Sequence, residues 1–98
     1  MEVFEDELGS IKVYSTYVER ERDEDVWDEM DDKVSGLIID RIHYSEVEEL
    51  KCQSESAPPV IEVKLKDGWR KMPFSNSETC KKTFKRLKYH WNVFQENF

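Results

Sequence analysis

From residue 77 onward the apolar positions fall at steps of four and three: Cys80, Phe84, Leu87, Trp91 and Phe94. Each step returns to the same side of a 3.6-residue helix, so the spacing predicts an amphipathic α-helix over 77–95 with one continuous apolar stripe. Ser75, followed three residues later by Glu78, suits a capping box, and Ser77 is a competing cap. Lys81, Lys82, Lys85, Arg86 and Lys88 fall off the stripe, toward water.

Before this helix the period changes to two. In VIEVKLK, residues 60–66, Ile61, Val63 and Leu65 lie on one side of a strand and Glu62, Lys64 and Lys66 on the other. Asp67-Gly68 then predicts a two-residue hairpin, from which WRKMPF returns antiparallel with Arg70, Met72 and Phe74 on one face and Trp69 and Lys71 on the other. VSGLIIDRI, residues 34–42, has a compact apolar centre suited to a strand. HYSEVEELKC adds another, in which Glu48, Leu50 and Cys52 alternate with Val47, Glu49 and Lys51, and QSESAPP is a polar loop. IKVYSTYV, residues 11–18, is rich in β-branched and aromatic side chains without Gly or Pro and reads as one strand. The MEVFEDEL before it suits either a strand or a loose arm.

These elements describe an α+β domain: an antiparallel curved sheet, or partly open barrel, capped by one long C-terminal amphipathic helix. A chain of 98 residues is expected to form a single domain over 1–98, with mobility confined to 1–10 and 23–33. Segment 23–33, DEDVWDEMDDK, carries no decisive pattern. Val26, Met30 and Val34 are spaced as on a helix, while Trp27 and the many Asp suit a loop equally well. It fails as a calcium loop, because the required spacing places Trp27 and Asp28 where the fifth-position ligand and the sixth-position glycine belong.

The run IHYSEVEELKC, then PPVIEVKLKDGWRKMPF, then the closing SETCKKTFKRLKYHWNVF resembles the second half of a pleckstrin-homology-like domain, especially the small prokaryotic and GRAM-like versions. The resemblance covers residues 34–94. It implies a bent seven-stranded barrel or pair of sheets capped by the helix, and a binding module without chemistry of its own. Phosphoinositide-binding members use a basic cluster between their first two strands. Here the corresponding region is ERERDED, in which Arg20 and Arg22 are outnumbered by acids, so phosphoinositide binding is not carried over.

Charge sharpens the picture because it is unevenly divided. Residues 1–50 hold 17 acids and 5 bases, a net of −12, whereas residues 51–98 hold 5 acids and 10 bases, a net of +5. The overall net of −7 works against nonspecific attraction to nucleic acid or anionic membranes, although a local basic face still acts at short range. Hydrophobic and charged residues are equally frequent at 38% each, but twelve Phe, Trp and Tyr side chains provide the bulk that disordered chains lack. No apolar run reaches the roughly 18–20 residues that span a bilayer, and MEVFEDELGS has neither the basic start nor the apolar core of a secretory signal. The expected compartment is the cytoplasm, without membrane insertion.

Candidate chemistry is sparse. Cys52 and Cys80 form no CxxC pair and sit in different elements, so reduced, buried thiols are expected in preference to a disulfide, and with His43 and His90 they show no metal-ligand spacing. Gly9, Gly36 and Gly68 stand alone, without a phosphate-cradling loop. His43 beside Tyr44 fits an exposed strand connection better than a general base. No cofactor, metal or enzymatic activity is expected. The basic helix face, Lys81, Lys82, Lys85, Arg86 and Lys88, is the candidate binding surface, set against the alternative of a merely solvated face. Its expected ligand is an acidic protein partner or a second copy of the chain. A nucleic-acid ligand is less favoured, because Phe84 and Trp91 are claimed by the stripe and leave Tyr89 and His90 for stacking.

Overall fold

The computed structural model describes residues 1–22 and 41–97. Among these described residues, two antiparallel sheets, not closed into a barrel, and one C-terminal helix make an α+β domain. The first sheet holds β1 (Glu2–Asp6), β2 (Gly9–Val13), β3 (Tyr17–Arg22) and β4 (Arg41–His43), in that order. A 3₁₀ turn at Tyr44–Glu46 leads into the second sheet, β5 (Glu49–Gln53), β6 (Val60–Leu65) and β7 (Gly68–Pro73). Helix α1 then runs from Ser77 to Asn97. It touches β1, β2, β5, β6 and the 3₁₀ turn, and so packs against both sheets.

The alternation of residues 60–66 is realised: Ile61 and Val63 are buried and Leu65 packs against the core. Met72 and Phe74 return beside them from β7 and the residue after it. The hairpin loop itself is displaced by one residue from the sequence expectation. Leu65 pairs with Gly68, so Lys66 and Asp67 form the loop and Gly68 opens the next strand at φ +129°. The β1–β2 hairpin repeats the device, with Glu7 and Leu8 as the loop and Gly9 at φ +121°. In both turns, glycine supplies the positive φ that an L side chain resists.

Residues 11–18 do not form one strand. Tyr14 N donates to Tyr17 O at 2.8 Å, and Val13 pairs with Val18 across the resulting β2–β3 hairpin. The physical reason is parity. Ile11, Val13, Val18 and Arg20 are all buried, and a continuous strand would send 11 and 13 to one face and 18 and 20 to the other. A turn at Ser15 and Thr16 restores both pairs to the core. The opening residues take the strand option as β1. The loop between the first two strands is therefore Glu7–Leu8, and ERERDED begins inside β3. Segment 23–33 and most of 34–42 lie outside the described residues; Arg41 and Ile42 of the latter belong to β4.

The stripe of α1 does pack on the sheets: Cys80 and Leu87 are buried, and Phe84, Trp91 and Phe94 lie against the core. Thr83 is buried with them. The helix cap, however, is neither Ser75 nor Ser77. Asn76 Oδ1 accepts from Thr79 N at 2.7 Å, leaving Ser77 as the first helical residue. Ser75 is engaged elsewhere, since its N donates to Asp6 Oδ2 at 2.9 Å and its Oγ accepts from Glu7 N at 3.1 Å. Asn is as good a cap as Ser, so the start of the helix loses nothing by the exchange.

Candidate functional site

The core side of α1 is fixed by its stripe, which turns the row Lys81, Lys85 and Lys88, spaced four and three apart, to the surface with Lys82 beside it. All four lysines are exposed. Lys81 Nζ lies 3.9 Å from Glu55 Oε1, but with side chains 55% and 91% exposed this is a water-screened surface pair that neutralises little. Lys88 Nζ sits 5.8 Å from the centre of the Phe84 ring, over its face. Lys82 and Lys85 make no ion pair with the described residues.

Arg86 is placed differently from the lysines with which sequence spacing grouped it. Its Nε donates to both carboxylate oxygens of Glu2, each at 2.8 Å, and His90 Nε2 lies 2.8 Å from Glu2 Oε2. The guanidinium also stands 4.7 Å over the Tyr89 ring. Arg86 thus ties the middle of the helix to the first strand, and it occupies one face of the most exposed aromatic on α1, Tyr89. Glu2 gave no local sequence signal for this role, because its partners are 84 and 88 residues away.

The same contacts set the protonation of Glu2. The hydrogen bonds from Arg86 and then His90 hold its carboxyl below the usual 4.5. A carboxylate with a lowered folded-state pKa contributes stability that is present above the unfolded value and lost as pH falls through the folded one. Glu2→Gln is therefore expected to lower unfolding free energy by less than about 1 kcal/mol at pH 7, in keeping with a surface pair. The difference from the parent should vanish in urea melts performed below the folded-state pKa. An equal deficit at both pH values would show that the charge of Glu2 is not what the clamp uses.

A second aromatic group lies at the β2–β3 turn and β4. Tyr17 stacks on Tyr14 with ring centres 4.3 Å apart, carries the Arg41 guanidinium 5.0 Å from its centre, and has His43 at 5.4 Å. Its faces are thus engaged within the protein. His43 is exposed on a strand, as its sequence context suggested, while His90 belongs to the Glu2 clamp. A groove of about 370 Å³ beside the 3₁₀ turn is lined by Ser45, Glu46, Leu65, Lys66 and Asp67, without histidine or cysteine. Among the described residues, no three His, Cys, Asp or Glu side chains converge as metal ligands, and no helix is long and apolar enough to cross a membrane.

Arg20, which the sequence places only among the bases of ERERDED outnumbered by acids, has a structural role. Arg20 is buried, its guanidinium 3.6 Å from Asp6 Oδ1, donating to the Pro73 carbonyl and lying 5.1 Å from the centre of the Phe74 ring. Desolvation pushes it down to about 10, which leaves it charged at neutral pH. The alternation Val18-Glu19-Arg20-Glu21 was the available signal: Arg20 shares the inward side with Val18. Arg20 is thus a structural cation of the interior and no part of a surface cluster.

Compared with protein-family models, curated proteins and solved structures, the chain matches none of them.

Proposed function

We propose that the chain is a noncatalytic protein-interaction module of pleckstrin-homology-like fold, acting in the cytoplasm, whose basic helix face docks on an acidic protein surface. The carrying observation is the row Lys81, Lys85 and Lys88, with Lys82 beside it, held outward on a helix whose other side is anchored in the core. Four strands, three strands and a closing helix agree with what the resemblance implies. The short β1–β2 loop, Glu7–Leu8, contains no base, which supports a protein ligand over a phosphoinositide. Arg86 over Tyr89 takes a ring face that a nucleobase would need, which weighs against single-stranded nucleic acid.

Such a face speeds and orients encounter more than it adds affinity, and its reach is about 8–10 Å at physiological ionic strength. The acidic first half of the chain makes a second copy one suitable acidic partner. Light scattering of the full chain, with titrations of a poly-glutamate peptide and a labelled single-stranded oligonucleotide, tests the reading at low and moderate salt. Poly-glutamate should bind at low salt and weaken as salt rises, with self-association following the same trend. Joint replacement of Lys81, Lys85 and Lys88 by Glu should abolish both. A chain that stays monomeric and ignores poly-glutamate would leave the lysines as solvated surface and defeat the proposal. Oligonucleotide binding with a steep salt slope would replace it by the nucleic-acid reading.

A further inference from the structure

From the sequence, Cys52 and Cys80 are expected as separate thiols, one on a strand and one on a helix. The fold brings them together: their sulfurs are 3.8 Å apart, joining the penultimate residue of β5 to the first turn of α1. That is van der Waals contact between sulfurs belonging to residues 28 apart in the chain. Both thiols are free, with Cys80 buried and Cys52 only partly so. The pair therefore has an accessible member and a shielded member, an arrangement that directs a reagent to one sulfur first.

We infer that Cys52 and Cys80 form a redox-active dithiol, in which Cys52 is the sulfur that meets a small-molecule disulfide and Cys80 the one that resolves it into an intramolecular disulfide. In the first step the Cys52 thiolate attacks one sulfur of the small disulfide. A bond forms between Cys52 and that sulfur, and the other half leaves as a thiolate. In the second step the Cys80 thiolate attacks Cys52 Sγ, forming the Cys52–Cys80 bond and expelling the second small thiolate. Two protein thiols are oxidised, one small disulfide is reduced to two thiols, and the two protons lost from the cysteines go to the thiolates released. The inference stands independently of the interaction reading.

The surroundings of Cys80 order the two steps in time. Burial pushes its thiol up to about 12, with the neighbouring Cys52 adding to the shift. Thiolate is the attacking species, so resolution is the slow step at neutral pH and quickens as pH rises. A mixed disulfide on Cys52 should consequently appear first and decay into the internal bond. Closing a loop of this length restricts the unfolded chain, and the oxidised protein should melt more than about 10 °C above the reduced one.

The test is to incubate the native full chain with oxidised glutathione at neutral and mildly alkaline pH, quench with acid, alkylate in denaturant and analyse by mass spectrometry. The expected product is a monomer lacking both alkylatable thiols, two hydrogens lighter than the parent, yielding a linked Cys52–Cys80 peptide. A transient glutathione adduct on Cys52 should precede it and shorten in lifetime with rising pH. The Cys80→Ser variant should stop at the adduct and Cys52→Ser should remain unmodified. Should Cys80→Ser fail to fold, the adduct lifetime in the parent carries the same information. A stable adduct on Cys52 with Cys80 still alkylatable, disulfide-linked dimers in place of the internal bond, or closure seen only in denaturant would each overturn the inference.

Discussion

Replacing Asp6 by Ala should remove about 3–5 kcal/mol of unfolding free energy, the cost of leaving a buried charge without its partner. The Arg20 side chain is 0% exposed and that of Asp6 2%, so water cannot substitute for the lost carboxylate without the turn opening. Asp6 also does more than face Arg20. Its Oδ1 accepts from Leu8 N at 2.8 Å and its Oδ2 from Ser75 N at 2.9 Å, which joins the β1–β2 turn to the segment leading into α1. Arg20→Met should cost less, since an apolar chain can fill the space of the arginine stem while Asp6 retains two N–H donors. The double variant should be more stable than the sum of the single losses by about 0.5–3 kcal/mol, because removal of the second partner no longer strands a charge. Guanidinium melts of the four proteins measure this directly. Additive losses, or Arg20→Met exceeding Asp6→Ala, would show that the ion pair is not the dominant link there.

Local pattern made the helix stripe and the β6–β7 pair legible, because each buries one face and the period of the side chains declares which face. The β2–β3 turn was harder to see. Ser15 and Thr16 lack the usual Gly or Pro signal, and only the change in parity between Val13 and Val18 marks the reversal. The displaced helix cap had a nonlocal cause, since Ser75 is occupied by a turn 68 residues earlier. The same holds for the candidate surface. Its lysines were readable as residues off the stripe, but the withdrawal of Arg86 depends on Glu2, and the meeting of Cys52 with Cys80 depends on how β5 lies under α1. Sequence periodicity reports which side of an element is dry. It carries no information about which distant residue shares that side, and the ion pairs and the dithiol are set at that level.

Phe74→Ala is expected to be the most damaging of the apolar truncations, at about 3–5 kcal/mol. The ring is fully buried and stands where β7 gives way to the helix. The main chain there is held independently, with Phe74 N donating to Pro59 O at 2.8 Å, so truncation should leave a cavity more readily than a collapsed strand. Phe74→Leu separates two contributions. It restores most of the volume and should cost about 1.5 kcal/mol or less if packing dominates, whereas a larger loss would trace to the ring face beneath the Arg20 guanidinium. Denaturant slopes then decide how the damage spreads. An unchanged m-value with a lower midpoint means the domain still unfolds as one unit around a hole; a reduced m-value means that the native state, or the denatured one, has changed its compactness. Because Phe74 touches Arg20, Phe74→Ala and Arg20→Met should also fail to add. Their coupling would place the aromatic ring, the buried cation and the Asp6 turn in one energetic unit that seats the helix on the sheets, with the exposed lysines depending on that seat for their alignment.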